Sequence, residues 1–250
     1  MTDSLIQASN VGVTYPNAPA ASLTNVSLSI GRGDAIGIVG ESGSGKSTLA
    51  RVLVGIQEPS QGQALVMGSP WAKVRGSDRR RRAVQMIFQD PYASLNPLIT
   101  ALDAVAEAVQ VTRRADRKTS KKVAEDLLGE VGLSGEVLGR RPRTLSGGQC
   151  QRVAIARALA CEPEVLIADE PTSALDVSVQ AQVLALLKRL RVSHELALVL
   201  VSHDLHVVRF MTETCHVLYR GEVVEYGTTE RVFCTPTHPY TQALLNSATT

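Results

Sequence analysis

The chain reads as an α/β fold built on a parallel sheet, with a β-rich N-terminal part and a helical block inserted between strands of the core. Three observations predict this. A buried-type strand, a glycine-rich loop and a helix follow one another over residues 35–54. From residue 165 onward, short apolar runs alternate with amphipathic helical patterns, as in a parallel sheet flanked by helices. Between these stretches, residues 101–138 space their apolar positions at helical intervals.

Taken in order, residues 5–15 and 23–30 alternate roughly as strands. The turn Gly31-Arg32-Gly33-Asp34 leads into the apolar run Ala35-Ile36-Gly37-Ile38-Val39. Gly40-Glu41-Ser42-Gly43-Ser44-Gly45-Lys46-Ser47-Thr48 then fills every fixed position of G-x-x-x-x-G-K-[ST], in the strand–loop–helix context the motif needs. Successive backbone N–H groups and the positive end of the helix dipole make such a loop an anion cradle. Gly40, Gly43 and Gly45 let the backbone come close to phosphate. Ser42 and Thr48 belong to the same cradle. Lys46 can reach β- and γ-phosphates, and the Ser47 hydroxyl can bind Mg²⁺. The helix runs over residues 47–54, with Gly55 as its C-cap. Residues 63–67 and 84–88 are further strand candidates, and 121–128 falls in a second helix of the inserted block. Residues 165–168 and 196–201 are buried strands. Asp176 and Asp204 open helices, and residues 215–220 and 222–226 form a hairpin around Gly221.

Composition bounds the function. The chain has 250 residues, 44% hydrophobic and only 4% aromatic, enough for one large α/β domain with an aliphatic core. A net charge of +2 gives no general reason to expect nucleic-acid binding. The run Arg79-Arg80-Arg81-Arg82 has no interleaved aromatics and reads as a solvated loop or helix start. Cys150, Cys161, Cys215 and Cys234 form no C-x-x-C pair, so reduced thiols in a cytosolic protein are expected. Cys234 and His238 are too isolated a pair for a metal site. The opening Met1-Thr2-Asp3-Ser4-Leu5 has no secretory pattern. No apolar run reaches the ~18 residues of a membrane span, so work at a membrane would require a partner.

Two more signals complete a catalytic reading. The strand at 165–168 ends in Asp169-Glu170. Asp169 would hold Mg²⁺ directly or through water, and Glu170, just past the strand end, could polarise an attacking water. About twenty residues earlier, Leu145-Ser146-Gly147-Gly148-Gln149 opens a helix, with Ser146 suited to the N-cap. This is a second phosphate-contacting element on one chain, which suggests that two chains share each nucleotide.

Together these motifs resemble the ATP-binding cassette nucleotide-binding domains over nearly the whole chain. The resemblance implies a P-loop NTPase core with a parallel sheet, an N-terminal antiparallel β subdomain and an inserted helical subdomain. It implies a single domain over 1–250, with the core at about 1–89 and 160–250 and the helical subdomain at 90–159. In that family the signature Leu145 to Gln149, through Ser146, Gly147, Gly148 and Gln149, closes on the γ-phosphate held by the other cassette. Tyr15 matches the aromatic that stacks on adenine; ordinary strand packing is its other reading. Gln89, in Phe88-Gln89-Asp90, matches the glutamine that contacts Mg²⁺ and water. Ser173-Ala174-Leu175-Asp176 matches the loop that communicates across the dimer, and His203 the histidine that holds the γ-phosphate.

A narrower resemblance, to the dipeptide/oligopeptide/nickel importer ATPases, is carried by Gln89-Asp90-Pro91-Tyr92-Ala93-Ser94-Leu95-Asn96-Pro97 and by His238-Pro239-Tyr240-Thr241-Gln242-Ala243-Leu244-Leu245. The chain departs from that pattern at Cys150 and at Arg140-Arg141-Pro142-Arg143-Thr144, neither a catalytic position. It stops at Thr250, like the shorter members, so no iron–sulfur site is implied. The expected protein is an Mg²⁺- and ATP-dependent hydrolase of translocase type at the cytoplasmic face of the inner membrane. It would work with two integral-membrane permease subunits, a second ATPase chain (identical or a sister) and, indirectly, an extracytoplasmic substrate-binding protein, with no nucleic acid. Peptides, nickel and metal chelates all fit as cargo. A soluble cassette ATPase not coupled to transport is the alternative. Lys46→Ala is expected to abolish nucleotide binding, measured by equilibrium binding of ATP; normal binding would contradict the loop assignment.

Overall fold

The computed structural model describes residues 4–16, 20–76 and 78–248. Residues 1–3, on which the reading of the N-terminus partly rests, and Thr250 lie outside the described residues.

The N-terminal part forms β1 (Ser4–Val13) and β2 (Leu23–Gly31), paired antiparallel. Burial alternates along β2, with Val26, Leu28 and Ile30 inward and Asn25, Ser27 and Ser29 outward, the period-2 signature of a half-buried sheet. β3 (Ala35–Val39) leads through the phosphate loop into α1 (Lys46–Leu53). β4 (Gln61–Val66) pairs antiparallel with β1 and β5 (Ser69–Pro70) pairs with β4, giving a four-stranded sheet in the order β2-β1-β4-β5. Then come α2 (Arg79–Ala83), β6 (Val84–Ile87), α3 (Pro91–Ser94), α4 (Ala101–Arg113), α5 (Arg117–Glu130) and α6 (Gly147–Leu159). The chain continues through β7 (Val165–Asp169), α7 (Val177–Ser193), β8 (Ala197–Val201), α8 (Leu205–Met211), β9 (Thr214–Tyr219), β10 (Glu222–Thr228), α9 (Thr229–Cys234) and α10 (Pro239–Ala248). A six-stranded sheet runs β10-β9-β3-β8-β7-β6, parallel except for the β9–β10 hairpin.

β3, β7 and β8 are buried at every position, which is why they read as continuous apolar runs. Their side chains alternate between two cores. Ile36, Ile38, Val165, Ile167 and Val199 join α1 and the four-stranded sheet. Leu166, Ala168, Leu198 and Leu200 join the helices on the other face, including α4, α5 and α6. Helix α1, with Leu49, Ala50, Val52 and Leu53 fully buried, therefore lies between two sheets.

The helix starts follow from side-chain caps, which satisfy first-turn N–H groups that have no intrahelical partner. Thr100 accepts from Asp103 N–H, Asp116 from Lys118 and Thr119, Asp176 from Val179, and Asp204 from His206 and Val207. Asp176 and Asp204 are thus caps, one residue outside their helices. Gly55 lies one residue beyond the cap Val54, with φ +75°. The strand expected at 84–88 ends at Ile87. The four arginines form α2, capped by Asp78, and each is engaged within the chain. Arg79 pairs with Glu164 at 3.1 Å, Arg80 with Asp78 at 2.6 Å, Arg81 donates to Gly55 O at 3.1 Å, and Arg82 to Thr112 O at 2.6 Å. None of the four cysteines is in a disulfide. Among the described residues no helix is long and apolar enough to cross a membrane.

Helix α8 lies so close on β3 that only glycine fits at position 37. A Cβ there would fall on Val208 Cγ1 and 2.9 Å from Thr212 Oγ1. Gly37→Ala is expected to destabilise the protein by about 1–3 kcal/mol through overpacking. Urea unfolding would show it, and an unchanged midpoint would contradict the close approach.

Candidate active site

The parallel strands β3, β8, β7 and β6 are neighbours in that order, and the residues just past their carboxyl ends converge, as ligand sites do in open α/β sheets. The phosphate loop follows β3, Gln89 follows β6, Glu170 follows β7 and His203 follows β8. Together they line a cleft of about 700 Å³, with Gly40, Ser42, Gly43, Gly45, Lys46, Ser47 and Thr48 as its floor and Ser22, Glu41 and Leu244 beside them.

The loop is held in one path. Gly45 is the N-cap of α1 at φ +106°, and a Cβ there would lie 2.5 Å from Ser22 O. Both facts require glycine. Lys46 is 5% exposed, and its Nζ donates to the carbonyls of Gly40 and Glu41, both at 2.8 Å. Burial pushes its pKa below the usual lysine range, while Glu170, Asp169 and Glu41 pull it back up. An anionic ligand would favour the charged form further.

Ser47 Oγ donates to Asp169 Oδ1 at 3.2 Å, so the loop hydroxyl and the acidic strand end share one point. Burial raises the Asp169 carboxyl above its usual range, opposed by the Ser47 hydrogen bond. Next to it, Glu170 adopts φ +44° and donates its N–H to Val201 O at 2.9 Å. That left-handed turn, uncommon for a residue with a Cβ, takes the chain out of β7. The Glu170 carboxylate is bracketed. Gln89 Nε2 donates to Oε2 at 3.1 Å, and His203 Nδ1 lies 3.1 Å from Oε1. The Glu170 side chain is 16% exposed and that of His203 62%, so one carboxylate is fixed from two sides with an exposed imidazole outermost.

Other expected site residues lie elsewhere. Ser146 caps α6 in a full capping box with Gln149, and the α6 start is not part of the cleft lining. A Cβ on Gly148 would fall on Val179 Cγ1, and one on Gly147 would lie 3.1 Å from Leu175 Cδ2. The signature therefore packs on the segment that leads into α7. Tyr15 packs against the core between the sheets, with its hydroxyl 3.4 Å from Thr48 Oγ1, which places it next to the loop but outside the lining. Tyr92 Oη donates to Leu145 O at 3.0 Å, joining the segment after Gln89 to the signature. Cys234 and His238 are occupied within the chain: Cys234 Sγ donates to Glu230 Oε1, and His238 Nδ1 accepts from Tyr240 N–H. Ser22 and Leu244 were not foreseen as lining residues. Leu244 belongs to the C-terminal motif, which was the available signal.

An open phosphate loop at the carboxyl end of a parallel sheet, with an acidic strand end beside it, defines a P-loop nucleoside triphosphatase. Comparison with known proteins narrows the class. The family model described as ABC transporter matches residues 23–173, and that for the oligopeptide/dipeptide transporter, C-terminal region, matches residues 224–250. The chain belongs to the ABC transporter family, and it is an ATPase of that family. It is 42% identical over 99% of its length to the Escherichia coli (strain K12) protein named "Probable D,D-dipeptide transport ATP-binding protein DdpF", covering 80% of that protein. It is 40% identical, over 99% of its length and 83% of the relative's, to the oligopeptide transport ATP-binding protein OppF of Bacillus subtilis (strain 168). Among solved structures, the ATP-binding cassette MJ0796, in a dimeric post-hydrolysis state with ADP and Pi, superposes with a TM-score of 0.80 at 34% identity, covering 90% of this chain and 98% of that one.

Proposed function

We propose that this chain is the ATP-hydrolysing subunit of an importer for di- or oligopeptides, acting through separate membrane subunits. The observation that carries the catalytic half is the Glu170 carboxylate held between Gln89 and His203 at the mouth of the phosphate cradle. The cargo is supported by the names of the relatives and by the match to the oligopeptide/dipeptide transporter C-terminal region; nickel or a metal chelate is the second reading for cargo.

In the mechanism, the loop from Gly40 to Thr48 binds the phosphates through its backbone N–H groups, and Tyr15 stacks on the adenine. Lys46, seated on the Gly40 and Glu41 carbonyls, presents its ammonium to the β- and γ-phosphates. Glu170 takes the proton of the attacking water, with Gln89 and His203 fixing the carboxylate and His203 steadying the γ-phosphate. The residues fit Mg²⁺: Ser47 Oγ and Asp169 Oδ1 already meet at 3.2 Å, and Gln89 adds a third oxygen. Hard oxygen donors, few in number and completed by phosphate and water, suit this ion. When bound it neutralises phosphate charge. Ser146, Gly147, Gly148 and Gln149 would complete the site of a second cassette, identical or a sister chain. That arrangement is supported by the signature standing outside its own chain's cleft.

The chain divides in this reading into a core at about 1–89 and 160–250 and a helical unit at 90–159. Exposed Tyr92 and Leu98 would face a helix of the permease and pass on its motion as coupling through a shared interface. The subunit would then sit on the cytoplasmic face of the membrane, held by its permeases, with an extracytoplasmic binding protein delivering cargo.

Glu170→Gln is expected to lower turnover by at least about 100-fold, the lower end for loss of a general base, while ATP binding is kept; brisk hydrolysis would remove Glu170 from the base role. The same variant, purified with ATP from its native membranes and analysed by mass spectrometry, is expected to bring down two integral-membrane proteins. Recovery of soluble partners only would sink the transport reading and leave a soluble cassette ATPase.

A further inference from the structure

The C-terminal motif His238-Pro239-Tyr240-Thr241 has no part in the site described so far, yet it reaches the phosphate loop. Tyr240 is the second residue of α10, and its hydroxyl accepts the N–H of Glu41 at 3.0 Å. Its ring lies on Tyr219 at the end of β9, with centroids 4.1 Å apart. One helical turn further on, Leu244 lines the cleft itself.

The start of α10 is anchored for this contact. Buried Glu225 of β10 accepts from Thr237 N–H at 2.8 Å, from Thr237 Oγ1 at 2.9 Å and from His238 N–H at 3.1 Å. Burial alone would raise the Glu225 carboxyl, but hydrogen bonds from Thr237 and His238 outweigh it and hold it down at about 2. His238 Nδ1 in turn accepts Tyr240 N–H at 3.2 Å. The motif is an arm tied at its base by a carboxylate, with one hydroxyl at its tip.

The peptide plane it touches explains what that hydroxyl does. Glu41 N–H and Gly40 C=O belong to the same rigid trans unit and point in opposite directions. Tyr240 takes the N–H, and Lys46 Nζ takes the carbonyl at 2.8 Å. The plane is adjoined by Gly40, at φ +151°, a residue with no Cβ to restrict rotation. The hydroxyl and the ammonium thus hold the two ends of one peptide plane.

We infer that Tyr240 is a positioning residue of the nucleotide site: through the Gly40–Glu41 peptide it sets the Lys46 ammonium towards the phosphates of a bound nucleoside triphosphate. The inference builds on the reading of this loop as the ATP cradle. It gives the C-terminal motif a role at the phosphate loop.

The test uses the full chain with Tyr240→Phe, which keeps the ring on Tyr219 and removes the hydroxyl. The control is Gln242→Ala, which removes a tether of the same helix, Nε2 to Pro236 O at 3.0 Å, without touching the loop. The readouts are the Kd for a fluorescent ATP analogue, steady-state KM and kcat, and melting temperature. Tyr240→Phe is expected to raise Kd and KM about fivefold, the effect of one net hydrogen bond, with kcat within about twofold and melting unchanged; Gln242→Ala should match wild type. Wild-type affinity in Tyr240→Phe overturns the inference, and so does an equal loss in Gln242→Ala, which would mean that helix docking alone matters. Wild-type protein that fails to bind the analogue overturns the cradle reading, and this inference with it. Should Tyr240→Phe prove unstable, amide exchange at Glu41 in nucleotide-free wild type decides: protection supports the bond, and exchange at the rate of an open loop overturns it.

Discussion

The constraint on which the structure depends is the burial of β3 and α1 on both sides of a loop that must itself stay open. A phosphate loop must keep N–H groups free for its ligand, so it cannot be covered and has to be held mainly from its two ends. The ends are held here by complete burial. Every residue of β3 is inside, and α1 places Leu49, Ala50, Val52 and Leu53 between two sheets. Fully burying a side chain of that size contributes about 1.5–3 kcal/mol, and packing on both faces leaves the helix no direction in which to move. Gly45 can then hold φ +106° without the loop relaxing.

The same sheet order explains why residues far apart in sequence meet. Parallel strands end on one edge, so whatever follows β3, β8, β7 and β6 gathers there whatever the connections between them. Gln89 and Glu170 are 81 positions apart, and Glu170 and His203 are 33, yet both pairs lie within 3.1 Å. The strand pairing supplies the distance. Backbone strain supplies the aim: Glu170, at φ +44° and tied to Val201 O, turns the carboxylate towards its two partners. Strain at such a residue persists only where neighbours over-determine it, and here the pairing of β7 with β8 does so.

Most of the core was legible in the sequence because its signals are local. Apolar runs of four to six residues gave β3, β7 and β8. The fixed glycines gave the loop, Ser146 marked a helix start by its capping chemistry, and Asp176 and Asp204 headed helical patterns. What escaped was decided by tertiary contact. The two helices after the hairpin were not foreseen, although Thr228 caps one and Pro239 opens the other; both are short, and their apolar spacing is weak. The fate of the arginine run was open in sequence, because nothing local says that Arg81 will reach Gly55 O or that Arg82 will reach Thr112 O. The contact between Glu41 and Tyr240 spans 199 positions, and no periodicity encodes that.

The signature makes the complementary argument about assembly. Its two glycines are filled against by Leu175 and Val179, so the start of α6 packs on the loop before α7 and on the first turn of α7. Tyr92 ties Leu145, the first signature residue, to the segment behind Gln89. Gln89 touches Glu170. The signature, the exposed face around Tyr92 and the Glu170 carboxylate are therefore linked by consecutive short contacts, while the signature itself stands away from its own cleft. A displacement at the Tyr92 face would be felt at Gln89 and at the signature together. In the proposed assembly, one event at that face would reach two different nucleotides, the one in this chain's cleft and the one that a partner cassette would offer to Ser146. Coupling of this kind needs no long path, only a bistable interface that both contacts bias.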